Sequence, residues 1–490
     1  MGPQEILAIY FLVALLTVIF NRIEERIRRY NIMGIFTVFG LGVVLVALPF
    51  LQEGVYKPLS SSELPPSEFK VDTLSRTLAL IFTAIGLSAA LYSLPYIREE
   101  RRAAYYTLYL LLMAGLTGAL FSNDLFTFFC FWELAAASAY SLVGYRWWYW
   151  EPVEAAFKYL VACTLGALTT LYATAMIYGL CGTTNLDEIS VIIGTNQPPR
   201  LVVASASLLF IVGLGTTAAI VPFHMWLPDA HAAAPSPVSS MLSGVIVNIP
   251  LVMLAKILFN VMPRLSELGY VLITLGAISG LVGSAAALAQ LDVKRLLAYS
   301  TIANLGYVML GLGTSYRASV LGSQELALVA ATGAFIQMVA HALSKSLLFM
   351  SVGYAIEATG SRHLASLEGF GRSMPLTGAS SLVALANLLG IPPMVSYYGK
   401  TFIIAGLAYK LSDPAIMAAL AVYMVSYAIA IGVYAYIAFR IFRKRAPSLH
   451  EAPLPMLAAE LSIAAGILAL SIYPSPLIEG VQAAVRRIIG

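Results

Sequence analysis

Ionisable side chains lie inside stretches of the sequence that are otherwise apolar. They are, in chain order, Glu133, His224, His341, Lys345 and Lys400. An ionised group inside a bilayer is costly, so such residues are rare in membrane spans and by default mark ion or proton pathways. Histidine and buried lysine can both exchange a proton near neutral pH. These residue types therefore indicate a route for protons or small cations.

The spacing of these residues supports a relay. His341 and Lys345 are four residues apart, so they share one helix face inside a span. Lys400 follows Pro393 by seven residues and is still followed by apolar sequence. Each has a simpler alternative: a hydrogen-bonded structural histidine, a lysine that extends to the membrane surface, and, for Glu133, a protonated carboxyl that serves packing.

Two proline-containing interruptions divide apolar runs that would otherwise continue. The first begins at Pro222 and contains His224 and His231, and the second is Pro392–Pro393. A bilayer tolerates non-helical backbone only where protein or a water-filled cavity surrounds it. Corresponding interruptions in two halves of a chain point to an internal repeat around an ion site. The alternative for the first interruption is an ordinary loop between two spans.

Composition places the chain in a membrane. The 490 residues are 59% hydrophobic and only 11% charged, whereas soluble domains carry about 25% charged residues. About fourteen runs are long enough to cross a bilayer at roughly 20 residues each, and none alternates as barrel strands do. We therefore expect an all-α, polytopic membrane protein.

Several other classes of site have no support in the sequence. The basic residues are dispersed among short loops, so we expect no nucleic-acid partner. The three cysteines lack the spacing of a metal site or a disulfide framework. No nucleotide-binding loop, metal-ligand cluster or nucleophile elbow occurs, so we expect no cofactor, no metal and no redox centre within the chain.

The distribution of basic residues predicts the orientation. Loops after the first, third, ninth and thirteenth spans are richest in arginine and lysine. The residues are Arg22, Arg26, Arg28, Arg29, Arg98, Arg101, Arg102, Lys294, Arg295, Arg440, Arg443, Lys444 and Arg445. Because cytoplasmic loops are enriched in such residues, both termini are expected on the non-cytoplasmic side of the plasma membrane. The apolar start has no basic n-region, which favours a first span over a cleaved signal peptide.

Five motifs together resemble one family, the antiporter-like membrane subunits. Such subunits occur in respiratory complex I, in multisubunit cation/proton antiporters and in membrane-bound hydrogenase-type complexes. The motifs are FWELAAASAY around Glu133, VPFHMWLPDAHAAAPSPVSSMLSG from Val221, LDVKRLLAYSTIANLGYVMLGLG from Leu291, HALSKSLLF from His341 and GIPPMVSYYGK ending at Lys400. They cover most of the chain from about residue 70 to 410 in the family's order, so the resemblance is specific.

The resemblance implies fourteen helices containing two inverted five-helix repeats, spans 4–8 and 9–13, with breaks in spans 7 and 12. It divides the chain into residues 1–102, 103–262, 263–445 and 446–490. Glu133 becomes the span-five glutamate and Lys400 the span-twelve lysine of a line of charges at mid-membrane depth. His341 and Lys345 become the polar residues of span eleven, which we expect to be broken. The implied partners are other membrane subunits, including related antiporter-like ones, membrane lipid and, as one option, a peripheral redox arm.

The sequence departs from the family pattern at two positions. Thr217 stands where the family has a span-seven lysine, and Asn248 stands where it usually has a span-eight lysine. Glu133 has therefore lost its expected partner. Three interpretations remain open: a subunit that moves protons or sodium by an altered route, a degenerate scaffold paralogue that does not pump, or part of a transporter for another small solute. If the chain belongs to an enzyme, it serves as the translocating subunit of an NADH/quinone- or hydrogenase-type oxidoreductase.

Overall fold

A computed structural model describes residues 1–27, 31–59, 67–99, 101–196, 198–262, 265–409, 412–443 and 449–489, with the backbone alone for 21–27 and 58–59. Arg28, Arg29, Lys444 and Arg445, which contribute to the expected orientation, lie outside the described residues, as do the domain boundaries placed at 263 and 445.

The described chain is almost entirely helical. In chain order its helices are α1 (Pro3–Ile27), α2 (Ile32–Ala47), α3 (Thr73–Tyr96), α4 (Arg102–Phe121), α5 (Leu125–Val143), α6 (Trp150–Cys181), α7 (Leu186–Asn196), α8 (Arg200–Thr217), α9 (Trp226–Ala233), α10 (Ser236–Gly244), α11 (Ile249–Lys256), α12 (Ser266–Leu288), α13 (Val293–Val320), α14 (Gln324–Thr359), α15 (Phe370–Ser373), α16 (Pro375–Leu389), α17 (Val395–Ala408), α18 (Pro414–Phe442), α19 (Leu454–Ile472) and α20 (Ser475–Ile489). Two antiparallel strands, β1 (Gly54–Leu59) and β2 (Ser67–Val71), form a hairpin between α2 and α3.

The number of spans agrees with the sequence. Thirteen helical segments among the described residues are long and apolar enough to cross a membrane, and α10, α11 and the short turns beside them count as one of these. The paired helices α16 and α17 supply the fourteenth span. The prediction of an all-α polytopic fold is confirmed.

Aspartates begin four of the helices at the membrane edges. Asp72, Asp124, Asp292 and Asp413 each accept a backbone N–H from the first turn of α3, α5, α13 and α18, respectively. The first turn of a helix has N–H groups without intrahelical partners, and a carboxylate satisfies them while complementing the helix dipole. These acids therefore fix where each span starts.

Two spans are divided into half-helices. α8 ends at Thr217 and α9 begins at Trp226, with Pro222 between them, while α16 ends at Leu389 and α17 begins at Val395. By contrast, α14 is one continuous helix of 36 residues. The expectation of a break in span eleven is therefore wrong: α14 has no proline to interrupt its backbone hydrogen bonds, and it carries His341 and Lys345 within a continuous helix.

Close packing of small residues holds α12 against α13. A Cβ atom on Gly276 would lie 2.5 Å from the backbone nitrogen of Leu310, and one on Gly306 would lie 2.5 Å from that of Gly280. Only glycine permits such an approach of two backbones, as is usual where helices associate in a bilayer. α13, which packs against α12 in this way, is among the most deeply buried spans.

Ion pairs between helix ends lie on two opposite faces of the helical bundle. One face, which we call the basic face, contains the pairs Arg98–Glu357, Arg295–Asp229 and Arg362–Asp292. The opposite face contains Lys70–Asp187, Arg317–Asp413 and Arg487–Glu53. α8 and α9 run toward the basic face, whereas α16 and α17 run away from it. The two broken spans are therefore antiparallel, as an inverted repeat requires.

Two polar loops of the sequence contain regular structure. The hairpin β1–β2 and the helix α7 lie within residues 52–70 and 183–200, on the opposite face. The C-terminal tail forms α20, whose apolar side is buried. A short amphipathic helix carries too few apolar residues to be recognised as a span, so hydropathy alone does not reveal it.

Candidate functional site

Lys400 lies at the second broken span, in the first half of α17. Its ammonium donates a hydrogen bond to the carbonyl of Leu388, at the C-terminal end of α16, and it lies 4.3 Å from the ring centroid of Tyr427. Gly390 ends α16 in the left-handed region, at φ 71°. The lysine thus caps the partially negative end of a helix that stops inside the protein.

Lys345 occupies the middle of α14 and is fully buried. Its ammonium donates to the carbonyl of Leu297 at 2.9 Å and to the hydroxyl of Ser300, both on α13. His341, one turn earlier on the same helix, is also fully buried, and neither ring nitrogen has a hydrogen-bond partner among the described residues. No described carboxylate forms an ion pair with Lys345 or Lys400.

A chain of hydrogen bonds leads from Lys345 to the helix turn that carries Lys400. The amide of Asn304 donates to the Ser300 carbonyl at 2.7 Å, and the amide of Gln337 donates to Asn304 at 2.9 Å. The hydroxyl of Ser396 then donates to Gln337 at 2.9 Å. Ser396 lies one turn before Lys400 on α17, so the two share a face. The chain is buried throughout.

Sequence reasoning missed Asn304, Gln337 and Ser396 because none of them is ionisable. A signal was present in their spacing. Ser300 and Asn304, Gln337 and His341, and Ser396 and Lys400 are each four residues apart within a span. Polar pairs on one face of an otherwise apolar helix indicate a buried polar seam.

Glu133 lies in α5 without a cationic partner. It is partly buried, and its Oε1 has no hydrogen-bond partner among the described residues. Tyr140 and Tyr159 lie near Glu133. Their ring centroids are 4.5 Å apart, and Tyr159 stacks on Trp226 of α9 at 4.2 Å. Aromatic rings, rather than a lysine, fill the space on this side.

Thr217 and Asn248 each bond to the backbone of their own helix. The hydroxyl of Thr217 donates to the Leu214 carbonyl at 3.0 Å, and the amide of Asn248 donates to the Gly244 carbonyl at 2.8 Å. Both are buried. Neither side chain continues a hydrogen-bonded chain among the described residues, in contrast to Asn304 and Gln337.

Two histidines follow the first break. His224 lies in the loop after Pro222, with its ring 6.4 Å from that of Tyr299. His231 lies on α9, is fully buried, and stacks on Phe349 of α14 at 4.5 Å. Both ring nitrogens of His231 lack partners among the described residues. This histidine places the first broken span in contact with the helix that carries Lys345.

Comparison with known proteins assigns this architecture. Residues 122–426 match the model of the family described as NADH:quinone oxidoreductase/Mrp antiporter, transmembrane region. The chain belongs to this family. The matched region contains both broken spans and the chain from Lys345 to Lys400, and it confirms the resemblance indicated by the sequence motifs.

Relatives extend the match over nearly the whole chain. Subunit N of the F(420)H(2) dehydrogenase of Methanosarcina mazei is 28% identical and covers 98% of this chain and 96% of its own length. NADH-quinone oxidoreductase subunit N of Desulforudis audaxviator is 29% identical over 77% of this chain and 74% of its own. A chain of the archaeal membrane-bound sulfane sulfur reductase has the same fold, with a TM-score of 0.88, 24% identity, and coverage of 99% of this chain and 97% of that one.

No group of three or more histidine, cysteine, aspartate or glutamate side chains with metal-binding geometry occurs in the part of the chain that the structure describes. What the buried polar groups can do is hold, orient and exchange protons.

Proposed function

We propose that this chain is a proton-translocating subunit of a multisubunit membrane complex, and that its second repeat carries the pathway. The observation that supports the proposal is the buried hydrogen-bonded chain from Lys345 through Asn304, Gln337 and Ser396 to the turn bearing Lys400. Ionisable groups inside a bilayer protein are energetically costly, so those that occur there are by default functional.

Each group in this chain has a distinct role. The hydroxyls of Ser300 and Ser396 can accept and donate a proton. The amide of Asn304 is anchored to the Ser300 backbone carbonyl and that of Gln337 to the Ser396 hydroxyl, so both can orient water beside the chain. Lys345 and Lys400 are the groups that gain and lose charge. Protons are favoured over sodium because the terminal groups are ammonium cations, whereas Na⁺ would require a cage of oxygen ligands.

Coupling to partner subunits drives the exchange. The named relatives are subunits of an NADH-quinone oxidoreductase and of an F(420)H(2) dehydrogenase. We infer that electron transfer or ion exchange in partners of this chain shifts a charge beside it. Lys400 then alternates between two forms. Its ammonium form donates a hydrogen bond to the Leu388 carbonyl, and its neutral form arises when it passes a proton toward the hydrogen-bonded chain.

A structural alternative has one specific observation in its favour. Glu133 has no basic partner among the described residues, and its Oε1 has no hydrogen-bond partner there. The resemblance places Thr217 and Asn248 where the family has lysines, and this replacement stays a prediction. In this alternative the chain seals and supports neighbouring subunits without pumping.

Replacement of Lys400 separates the two proposals. Lys400→Met removes the titrating group, and Lys400→Arg keeps a cation that does not lose its proton in proteins. We expect both variants to assemble and to lower proton translocation at least about tenfold, equivalent to roughly 1.4 kcal/mol in the barrier. Translocation is measured with a pH-sensitive dye in vesicles containing the complex, with the half-exposed Lys57→Met as control. Wild-type rates in an assembled Lys400→Met or Lys400→Arg complex would exclude the pathway.

A further inference from the structure

Glu460 is a buried carboxyl group that the pathway described above does not use. It lies in the second turn of α19 and is fully buried. Neither carboxyl oxygen has a hydrogen-bond partner among the described residues, and none of the described basic residues pairs with it. An unpaired ionisable group inside a span is energetically costly and by default marks a functional site. Packing alone would be served better by leucine.

Tyr92, Tyr354 and Thr377, on three neighbouring helices, lie near Glu460. Tyr92 of α3 donates its hydroxyl to the Met350 carbonyl at 2.7 Å. Tyr354 of α14 donates to the Glu451 carbonyl at 3.3 Å. Glu357, also on α14, pairs with Arg98 at 3.1 Å. These side chains are therefore committed elsewhere, and the hydroxyl of Thr377 on α16 lies beside the Glu460 carboxyl.

Thr377 connects Glu460 to the basic face. Its hydroxyl donates to the carboxylate of Glu451 at 3.1 Å, and the same carboxylate accepts the backbone N–H of Leu376 at 2.5 Å. Glu451 precedes α19 and is partly exposed. Glu460 lies six residues into α19, about 9 Å along the helix axis. A partly exposed carboxylate, a hydroxyl and a buried carboxyl thus lead inward from one membrane surface.

The same helix, α16, continues toward the pathway. Below Thr377 it carries Ser380, whose buried hydroxyl has no partner among the described residues. Two turns further, Asn387 donates to the Ser344 hydroxyl at 2.8 Å and accepts the backbone N–H of Ser396 at 3.0 Å. Ser396 is the last member of the chain that leads to Lys400. Thr377, Ser380 and Asn387 therefore lie along one side of α16, between Glu460 and the hydrogen-bonded chain that leads to Lys400.

We propose that Glu460 is a proton-loading site, which takes up protons from the basic face through Glu451 and Thr377 and supplies the second-repeat chain at Asn387 and Ser396. In the loading step Glu451 first takes up a proton from water, so that its carboxyl donates to the Thr377 oxygen and the Thr377 hydroxyl turns from Glu451 toward Glu460. The Thr377 proton then passes to a Glu460 carboxylate oxygen while the Glu451 proton replaces it. Glu451 is left as a carboxylate and is reprotonated from water. Delivery of the proton to the second-repeat chain depends on the function proposed above, whereas the protonation and deprotonation of Glu460 do not.

Infrared difference spectroscopy of the assembled complex in membranes tests the site directly. A change of pH should produce a protonated-carboxyl C=O band that shifts in D₂O and disappears in Glu460→Gln. The matched control is Glu479→Gln, an exposed residue on α20, which should leave that band unchanged. Thr377→Val should keep the band and slow its exchange with D₂O. Where Glu460→Gln fails to assemble, Glu460→Asp serves instead and should shift the band in frequency.

Translocation measurements place the site in the pathway. We expect Glu460→Gln to lower the rate of proton translocation at least about tenfold, as Lys400→Met does. A titrating band that survives Glu460→Gln, or wild-type translocation by an assembled Glu460→Gln complex, would overturn the inference. If Lys400→Met translocates normally while the Glu460 band is present, the proposed function fails and the titrating site stands.

Discussion

At the scale of single residues, the two lysines of the pathway are stabilised by carbonyl oxygens rather than by carboxylates. Lys345 contacts the Leu297 carbonyl and Lys400 contacts the Leu388 carbonyl. A permanent ion pair would hold a lysine in its charged form, because the neutral form leaves a buried carboxylate uncompensated. Neutral acceptors impose no such penalty, so each ammonium can release its proton and later recover it.

The amide of Gln337 is the central link of the hydrogen-bonded chain, so proton translocation should depend on it. Gln337→Met keeps the volume but removes the contacts to Asn304 and Ser396. Leaving two buried polar groups without partners costs about 1–3 kcal/mol each in folding free energy. We expect the complex to assemble and its rate of proton translocation to fall at least about tenfold. Gln290→Met, at the end of α12, is the control, and an active Gln337→Met complex would show that the chain is structural.

Restoring the family lysines tests the first repeat. Thr217→Lys combined with Asn248→Lys would supply the cation that Glu133 lacks. If the second repeat carries the pathway alone, the double variant and the wild type should translocate protons at the same rate in the same vesicles. A large gain in rate in the double variant would mean that the native protein is a weakened pump. Thr217→Lys alone isolates the contribution of a charge close to the first break.

How far the sequence predicts the site depends on the type of residue. Glu133, His341, Lys345 and Lys400 stand out because an ionisable group in an apolar run is rare. Asn304, Gln337 and Ser396 do not, since neutral polar residues occur in many spans and their meeting depends on the packing of three helices distant in sequence. Glu460 was overlooked because it lies near the start of its span, where an acid can also be read as interfacial.

At the scale of elements, proline explains why two spans are interrupted, but it does not determine the residues at which each interruption begins and ends. Pro222 and Pro393 predict interruptions, yet α8 ends at Thr217, five residues before the proline. A buried loop needs partners for its free backbone groups, and the Val221 amide finds one in Ser279 at 3.0 Å. Those partners come from other helices, so the length of each break is a property of the packed bundle.

The amphipathic helix α20 is fastened to the opposite face by an ion pair that depends on pH. The hydrogen bond from Arg487, at 2.6 Å, holds the pKa of the Glu53 carboxyl below its ordinary value. A lowered carboxyl pKa contributes docking stability that is fully present above the unfolded value of about 4.3 and is lost as the pH falls through the folded value. The pair therefore stabilises the docking of α20 at neutral pH and ceases to do so once the pH falls below the folded pKa of Glu53.

Hydrogen exchange of the α20 amides measures this contribution. At neutral pH, Arg487→Gln should lower the protection of these amides relative to the wild type. The difference should disappear once the pH is low enough to protonate Glu53 in both proteins. Arg486→Gln, an exposed neighbour on the same helix, should leave protection unchanged. Equal protection of wild type and Arg487→Gln at neutral pH would show that the apolar side of α20 docks it alone.

At the scale of the whole molecule, the two faces differ in their basic residues, and this difference predicts the orientation. The basic face carries Arg98, Arg295, Arg362 and Arg440, each in an ion pair. Under the positive-inside rule this face is cytoplasmic. The proposed proton-loading route through Glu451 then opens to the cytoplasm, and α17 leads from Lys400 to the other side. Uptake and release would occur on opposite faces of one chain.

Cysteine accessibility tests the orientation directly. In a background with Cys130, Cys163 and Cys181 replaced by serine, a single cysteine is introduced at Ser366 on the basic face or at Glu188 in α7 on the opposite face; both positions are exposed. A membrane-impermeant maleimide added to intact cells should label Glu188→Cys and leave Ser366→Cys unlabelled until the membrane is opened. The reverse pattern would place both termini in the cytoplasm and reverse the direction of proton uptake. Glu451 would then face the outside, and Lys400 would deliver protons to the cytoplasmic side.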